Sequence, residues 1–150
     1  MKSKNQYSYP VTLDENVEMT YDKSRMHKGR LKYAVDFITK SGTPILASLD
    51  GIVVDVKQDS NIGGDADEYD AFGNYIEIKH DNDEYSIYEH IRINGSLVKV
   101  GDVVKTGQLI GYSGFTGLLA GLGPHLHFDV HKYFGKGPEE YDSVEIVWKK

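Results

Sequence analysis

His125 and His127 stand one residue apart in the run HLHFDVHKY, residues 125–133. The run reads as a strand, in which alternate side chains share a face. His125, His127, Asp129 and His131 then point one way, and Leu126, Phe128 and Val130 the other. The apolar set is what a core wants. Two or three imidazoles beside a carboxylate are an expensive choice for the opposite face unless something uses them. Histidines at i and i+2 stand close enough to work at one metal-centred site: both can ligate, or one can ligate while its neighbour serves a substrate. Zinc takes neutral imidazole and carboxylate readily, and a hydrolytic site keeps three protein ligands with a fourth position open. The chain has no cysteine, so any metal must be held by nitrogen and oxygen. His131 alone reads as an incidental histidine on a solvated face.

The elements that must position these groups are strands. EYSIYEHI, residues 84–91, alternates and puts His90 on a face with Tyr88 and Ser86, opposite Tyr85, Ile87 and Glu89. It follows the period-2 run NYIEIKH, residues 74–80, across the turn HDNDEY, which predicts an antiparallel hairpin. His80, at the end of its strand, reads as structural. YAVDFI, residues 33–38, is a shorter strand, and ILASLDGIVVDVK is one long strand or two joined at Asp50-Gly51. Residues 58–73 form a long polar loop, longer than most connections. Its acidic stretch, residues 63–72, is a solvated insertion or a groove border that selects basic peptides. No window carries a helical stripe. The expected fold is therefore mainly β: an antiparallel or mixed sheet, coiled and partly closed, with function in loops over one face.

Composition agrees. At 150 residues the chain falls in the one-domain range, and 39% hydrophobic with 27% charged residues is a globular balance. Eleven tyrosines and sixteen glycines lean towards a sheet with tight turns. A formal net charge of -6 disfavours nucleic acid as a partner. The opening MKSKNQYSYP does not read as a secretory signal, and no stretch approaches a membrane span.

Taken in order, HKGRLKYAVDF, SGTPILASLDGIVV, GNYIEIKHDN, YSIYEH, VKVGDVVKTGQLIGYSGFTG and GPHLHFDV resemble the lysostaphin-type (LytM-like) zinc metallopeptidases, which cleave peptide bonds in bacterial cell-wall peptidoglycan. These pieces run from His27 to Val130, about two thirds of the chain. The resemblance implies a highly twisted antiparallel sheet with an active-site groove, of the duplicated-hybrid-motif kind. It implies one zinc ion per chain, held by His27, Asp36 and His127, with His125 a catalytic residue beside the metal and His90 its partner. Replacing His90 or His125 would then remove turnover and leave zinc bound. Its implied partners are stem or cross-bridge peptides of peptidoglycan, which argues for an extracytoplasmic setting.

Two departures from the family pattern stand out. Many members place the first ligand histidine four residues before the aspartate, whereas positions 27 and 36 are nine apart. The segment LLAGL, residues 118–122, is longer than the usual form by two residues. Leu118 and Leu119 are candidates for an apolar groove wall, with core packing as the alternative, and Tyr88 is a candidate substrate contact. The expected organisation is an irregular N-terminal segment (1–26) packed on a catalytic domain (27–133), followed by an extension (134–150) with a candidate edge strand. Two further readings remain open: a catalytically silent relative that binds wall peptides or activates a partner, and a zinc hydrolase acting on a non-wall peptide.

Overall fold

Leu126, Phe128 and Val130 lose all contact with solvent and join Val35, Phe37, Ile76, Ile78 and Tyr88 in one core. Burial of each such side chain contributes about 1.5–3 kcal/mol. The structure is a computed structural model and describes residues 1–21, 29–135 and 137–150. Among these, the strands in chain order are β1 (Lys2–Tyr7), β2 (Glu18–Thr20), β3 (Val35–Ile38), β4 (Pro44–Leu46), β5 (Gly51–Lys57), β6 (Gly63–Gly64) and β7 (Asn74–Lys79). They continue with β8 (Tyr85–Ser96), β9 (Val103–Val104), β10 (Leu109–Ser113), β11 (Gly117–Leu118), β12 (His125–Tyr133), β13 (Tyr141–Ser143) and β14 (Glu145–Trp148). Helical structure among the described residues is confined to short 3-10 turns, at Gly29–Leu31, Asp67–Phe72 and Asp81–Asp83.

Ten strands form one antiparallel sheet in the order β2-β3-β12-β8-β7-β5-β9, with β10 bridging β8 to β4 and β13 beside β12. The histidine strand β12 lies at its centre, between β3 and β8. The hairpin β7–β8 pairs Ile76 with Tyr88 and Ile78 with Ser86. The run from Ile45 divides at the Asp50-Gly51 turn into β4 and β5.

The sheet is twisted and antiparallel, but the expected partial closure is wrong. Its path runs from β2 to β9 without returning on itself. A barrel needs every strand to share one tilt and one stagger. Edge strands of three and two residues cannot supply that, and such short edges are themselves a way of ending a sheet safely. The sheet is open.

Two smaller sheets brace it. β1 and β14 pair in parallel, with Tyr7 opposite Trp148. The buried Glu84 ties β1 to the β7–β8 hairpin, accepting hydrogen bonds from the backbone N–H of Lys4 (2.7 Å) and Asn5 (3.2 Å) and from the Tyr7 hydroxyl (3.0 Å). β6 and β11 pair through Gly63 and Gly117. A Cβ on Gly63 would lie 1.7 Å from the Phe115 carbonyl oxygen, so only glycine allows the two segments this close.

Candidate metal centre and groove

Register brings the first two groups together. β3 and β12 place Asp36 directly opposite His127, and two positions along Ile38 stands opposite His125. The Asp36 Oδ1 atom lies 3.1 Å from His127 Nδ1 and 3.6 Å from His125 Nε2. All three side chains are buried. His27 lies outside the described residues.

His90 reaches the same site by a route that alternation does not foresee. β7 pairs Tyr75 with Glu89 and Asn74 with Ile91, so His90 is an extra residue in β8 with no partner position. Its φ of 72° lies in the left-handed region, unusual for a residue other than glycine. This is a β-bulge, a device that re-aims side chains and recurs beside active sites. Because of it, Glu89 and His90 both face the metal-site side. The expectation that they point oppositely, and that Tyr88 accompanies His90, is overturned. Tyr88 is fully buried, its hydroxyl held by the Ser48 N–H at 2.9 Å and by the Ser86 hydroxyl at 2.9 Å. It is a core residue and cannot touch a substrate.

Backbone carbonyls orient both flanking imidazoles. His90 Nδ1 lies 2.7 Å from the Thr116 carbonyl oxygen and His125 Nδ1 2.8 Å from that of Gly123. A carbonyl only accepts, so each Nδ1 carries the hydrogen, and in the neutral ring Nε2 bears the lone pair. The ring centroids of His90 and His125 are 4.5 Å apart, and His90 is 6.0 Å from His127. His90 Nε2 is buried with no hydrogen-bond partner among the described residues. Burial, with the imidazoles of His125 and His127 beside it, pulls the His90 pKa down to about 3.

Carboxylates crowd the other side of His127. Glu89 stands opposite it on β8, with Oε2 3.3 Å from Nε2. Among the described residues, Glu89, His127 and Asp129 have ligand-capable atoms within 4.8 Å of one another, a cluster able to hold a metal ion. Burial alone would lower the His127 pKa, but the Glu89 and Asp36 carboxylates outweigh it and hold it up to about 9. Burial pushes the Glu89 carboxyl up to about 7, against the opposing pull of His127. His131 is not the solvated histidine expected. It is buried between Asp129 (2.6 Å from Nδ1) and Glu77 (2.7 Å from Nε2), which keep it at about 9 despite burial.

The donor set fits zinc. A buried carboxylate and imidazole on adjacent strands supply the oxygen and nitrogen ligands that this ion prefers in the absence of thiolate.

A cavity of about 560 Å³ opens beside these groups, lined by His90, Glu89, Leu118, Tyr75, Asp70 and Tyr141 among others. Leu118 therefore does face the groove. Leu119 is as buried as Leu118 but is absent from the groove wall. The acidic loop is a border too, since Asp67 and Asp70 of its 3-10 turn line the cavity. Sequence reasoning missed Glu89 and Tyr75 in the groove; for Glu89 the reason is that a one-residue bulge, which brings His90 round to its side, leaves no mark on composition or period.

The sequence matches Peptidase family M23 over residues 30–138. It is 35% identical over 127 residues to an uncharacterized metalloprotease of Haemophilus influenzae, covering 82% of this chain and 24% of that protein. It is 34% identical over 126 residues to the peptidoglycan DD-endopeptidase ShyA of Vibrio cholerae, covering 81% and 26%. The chain thus spans about a quarter of the length of these curated relatives. Its fold resembles the catalytic domain of the antimicrobial peptidase lysostaphin from Staphylococcus simulans, with a TM-score of 0.56 and 29% identity over 93% of this chain and 86% of that one.

Proposed function

The chain belongs to peptidase family M23, and from that premise we propose that it is a zinc-dependent endopeptidase hydrolysing peptide bonds in the stem or cross-bridge peptides of bacterial peptidoglycan. One zinc ion per chain would be held by Asp36 and His127, with His27, which the family resemblance implies and which lies outside the described residues, as the third ligand. When bound, zinc supplies Lewis acidity, polarising the scissile carbonyl and acidifying a water towards neutral pH.

The observation that carries the reading is the pair His90 and His125. Both spend Nδ1–H on a backbone carbonyl, which leaves the lone pair of the neutral ring at Nε2, beside the Asp36–His127 pair. Two imidazoles so fixed suit the two proton movements that amide hydrolysis needs. One Nε2 accepts the proton of the attacking water, and the other carries a proton to the leaving amine or to the developing oxyanion. The groove that reaches His90 is long enough in volume for a few peptide residues. The wall peptides come to this chain by its relatives, the peptidoglycan DD-endopeptidase ShyA and lysostaphin, and an extracytoplasmic place of action is part of the same proposal, since that is where such a substrate lies.

Elemental analysis of the wild type and His127→Ala, paired with release of soluble peptide from purified peptidoglycan, tests this. About one zinc per wild-type chain, lost in His127→Ala, and peptide release by the wild type alone are expected. His90→Ala and His125→Ala should keep zinc and lose turnover by about 100-fold or more. Zinc without cleavage would leave the metal site standing and point to another substrate or to a binding role. Folded protein that takes up no zinc, even when it is supplied, would sink the reading.

A further inference from the structure

We propose that Glu89 is the residue that fixes which nitrogen of His127 meets the metal; this rests on the zinc reading above. His127 lies between two carboxylates, with Nδ1 3.1 Å from Asp36 Oδ1 and Nε2 3.3 Å from Glu89 Oε2. A neutral imidazole carries one N–H and one lone pair. Asp36 is a ligand, so the lone pair must stand at Nδ1 and the hydrogen at Nε2. That hydrogen needs an acceptor, because His127 is buried. Asp129 is another carboxylate within 4.8 Å; its Oδ1 is engaged by His131 Nδ1 at 2.6 Å, and its Oδ2 has no hydrogen-bond partner among the described residues. Glu89 is the carboxylate whose oxygen approaches Nε2, at 3.3 Å.

Ordinary cross-strand pairing supplies the contact, and the bulge brings His90 round to the same side. Without the extra residue, strict alternation through β8 could not put Glu89 and His90 on one face. The cross-strand register sets Glu89 opposite His127. At 3.3 Å the contact is close but not aligned as a hydrogen bond. The Glu89 side chain, 32% exposed to the groove, has room to swing into line. A carboxylate behind a ligating histidine locks its tautomer and raises its basicity, and removal of such a partner typically weakens metal binding 10- to 100-fold. Glu89 is a positioning residue: it touches the ligand and acts through it.

Zinc affinity is measured by competition with a chromophoric chelator for the wild type, Glu89→Gln and Glu89→Ala, with circular dichroism to confirm that each is folded. Nitrogen-15 histidine spectra of the zinc-loaded proteins report the His127 tautomer. The wild type should show zinc at Nδ1 and hydrogen at Nε2. Glu89→Ala should bind zinc about 10- to 100-fold more weakly. Glu89→Gln, which keeps an acceptor oxygen but loses the charge, should fall between them. Equal affinities across the three proteins, or coordination through Nε2, would overturn the role of Glu89 and leave the zinc reading standing. Two zinc ions per wild-type chain would show that Glu89, His127 and Asp129 hold a metal themselves, which also overturns it. A wild type that binds no zinc overturns the zinc reading and this inference with it.

Discussion

His80 shows how a titratable side chain can be given over wholly to structure. Its Nδ1 meets the Asp50 carbonyl oxygen at 2.7 Å, so that nitrogen carries the hydrogen. Its Nε2 accepts from the Ser86 hydroxyl at 2.7 Å, and the Ser86 oxygen lies 2.9 Å from the Tyr88 hydroxyl. The ring packs edge-on against Tyr7 at 5.4 Å. This arrangement wants a neutral imidazole, and burial lowers the His80 pKa below 6.5. The sign follows from linkage. Above the unfolded pKa the ring is neutral in both states and its contribution is fully present; as pH falls below about 6.5 the unfolded chain takes up a proton that the folded chain refuses, and stability is lost. Urea unfolding of the wild type between pH 7.5 and 5 should therefore show an acid slope that His80→Gln reduces. The reduction is at most that of one proton, about 1.4 kcal/mol per pH unit. An unchanged slope would mean that the folded protein charges His80 as readily as the unfolded chain does.

Between single residues and the whole sheet lies the bulged strand β8, where site geometry is set. His90 is held by the Thr116 carbonyl, and Thr116 precedes β11, which is pinned to β6 by the glycine contact. Gly63→Ala would force a Cβ into the Phe115 carbonyl and push this segment away. Asp36 and His127 come from β3 and β12 and do not depend on it. The variant should therefore keep its zinc while kcat falls about 10- to 100-fold, since a displacement near 1 Å can cost that much. Zinc stoichiometry beside peptide release checks this, and full activity would refute the chain of contacts. Much of this element was legible in the sequence. Alternation gave the apolar side of β12, the hairpin β7–β8 and the gathering of His125 with His127. The bulge was not legible, because one inserted residue shifts a face without changing any residue type. That is why Tyr88 was expected beside a substrate and Glu89 away from it. The closure of the sheet was misjudged for a related reason: the shortness of β2 and β9 is set by what they pair with.

At the scale of the molecule, the question is how much of the chain the fold needs. The family match ends at residues 30 and 138, yet β1, β2, β13 and β14 lie outside it. Tyr7, Val11, Val144 and Ile146 from these flanks are buried members of the one core. At about 1.5–3 kcal/mol for each, they contribute roughly 6–12 kcal/mol, comparable with the whole stability of an ordinary domain. Their loss would also strip the buried Glu84 of its donors from Lys4, Asn5 and Tyr7, and leave β3, which carries Asp36, without its neighbour β2. A piece cut to residues 30–138 should then show no cooperative thermal transition, where the full chain shows one. Because the piece also lacks His27, the measurement is made on both proteins in chelator, so that folding is read without zinc. A cooperative transition within a few degrees of the full chain would mean that the flanks merely decorate a self-sufficient sheet. Its absence would mean that the core is completed from both ends of the chain, with the strand that carries Asp36 held in place by residues outside the family match.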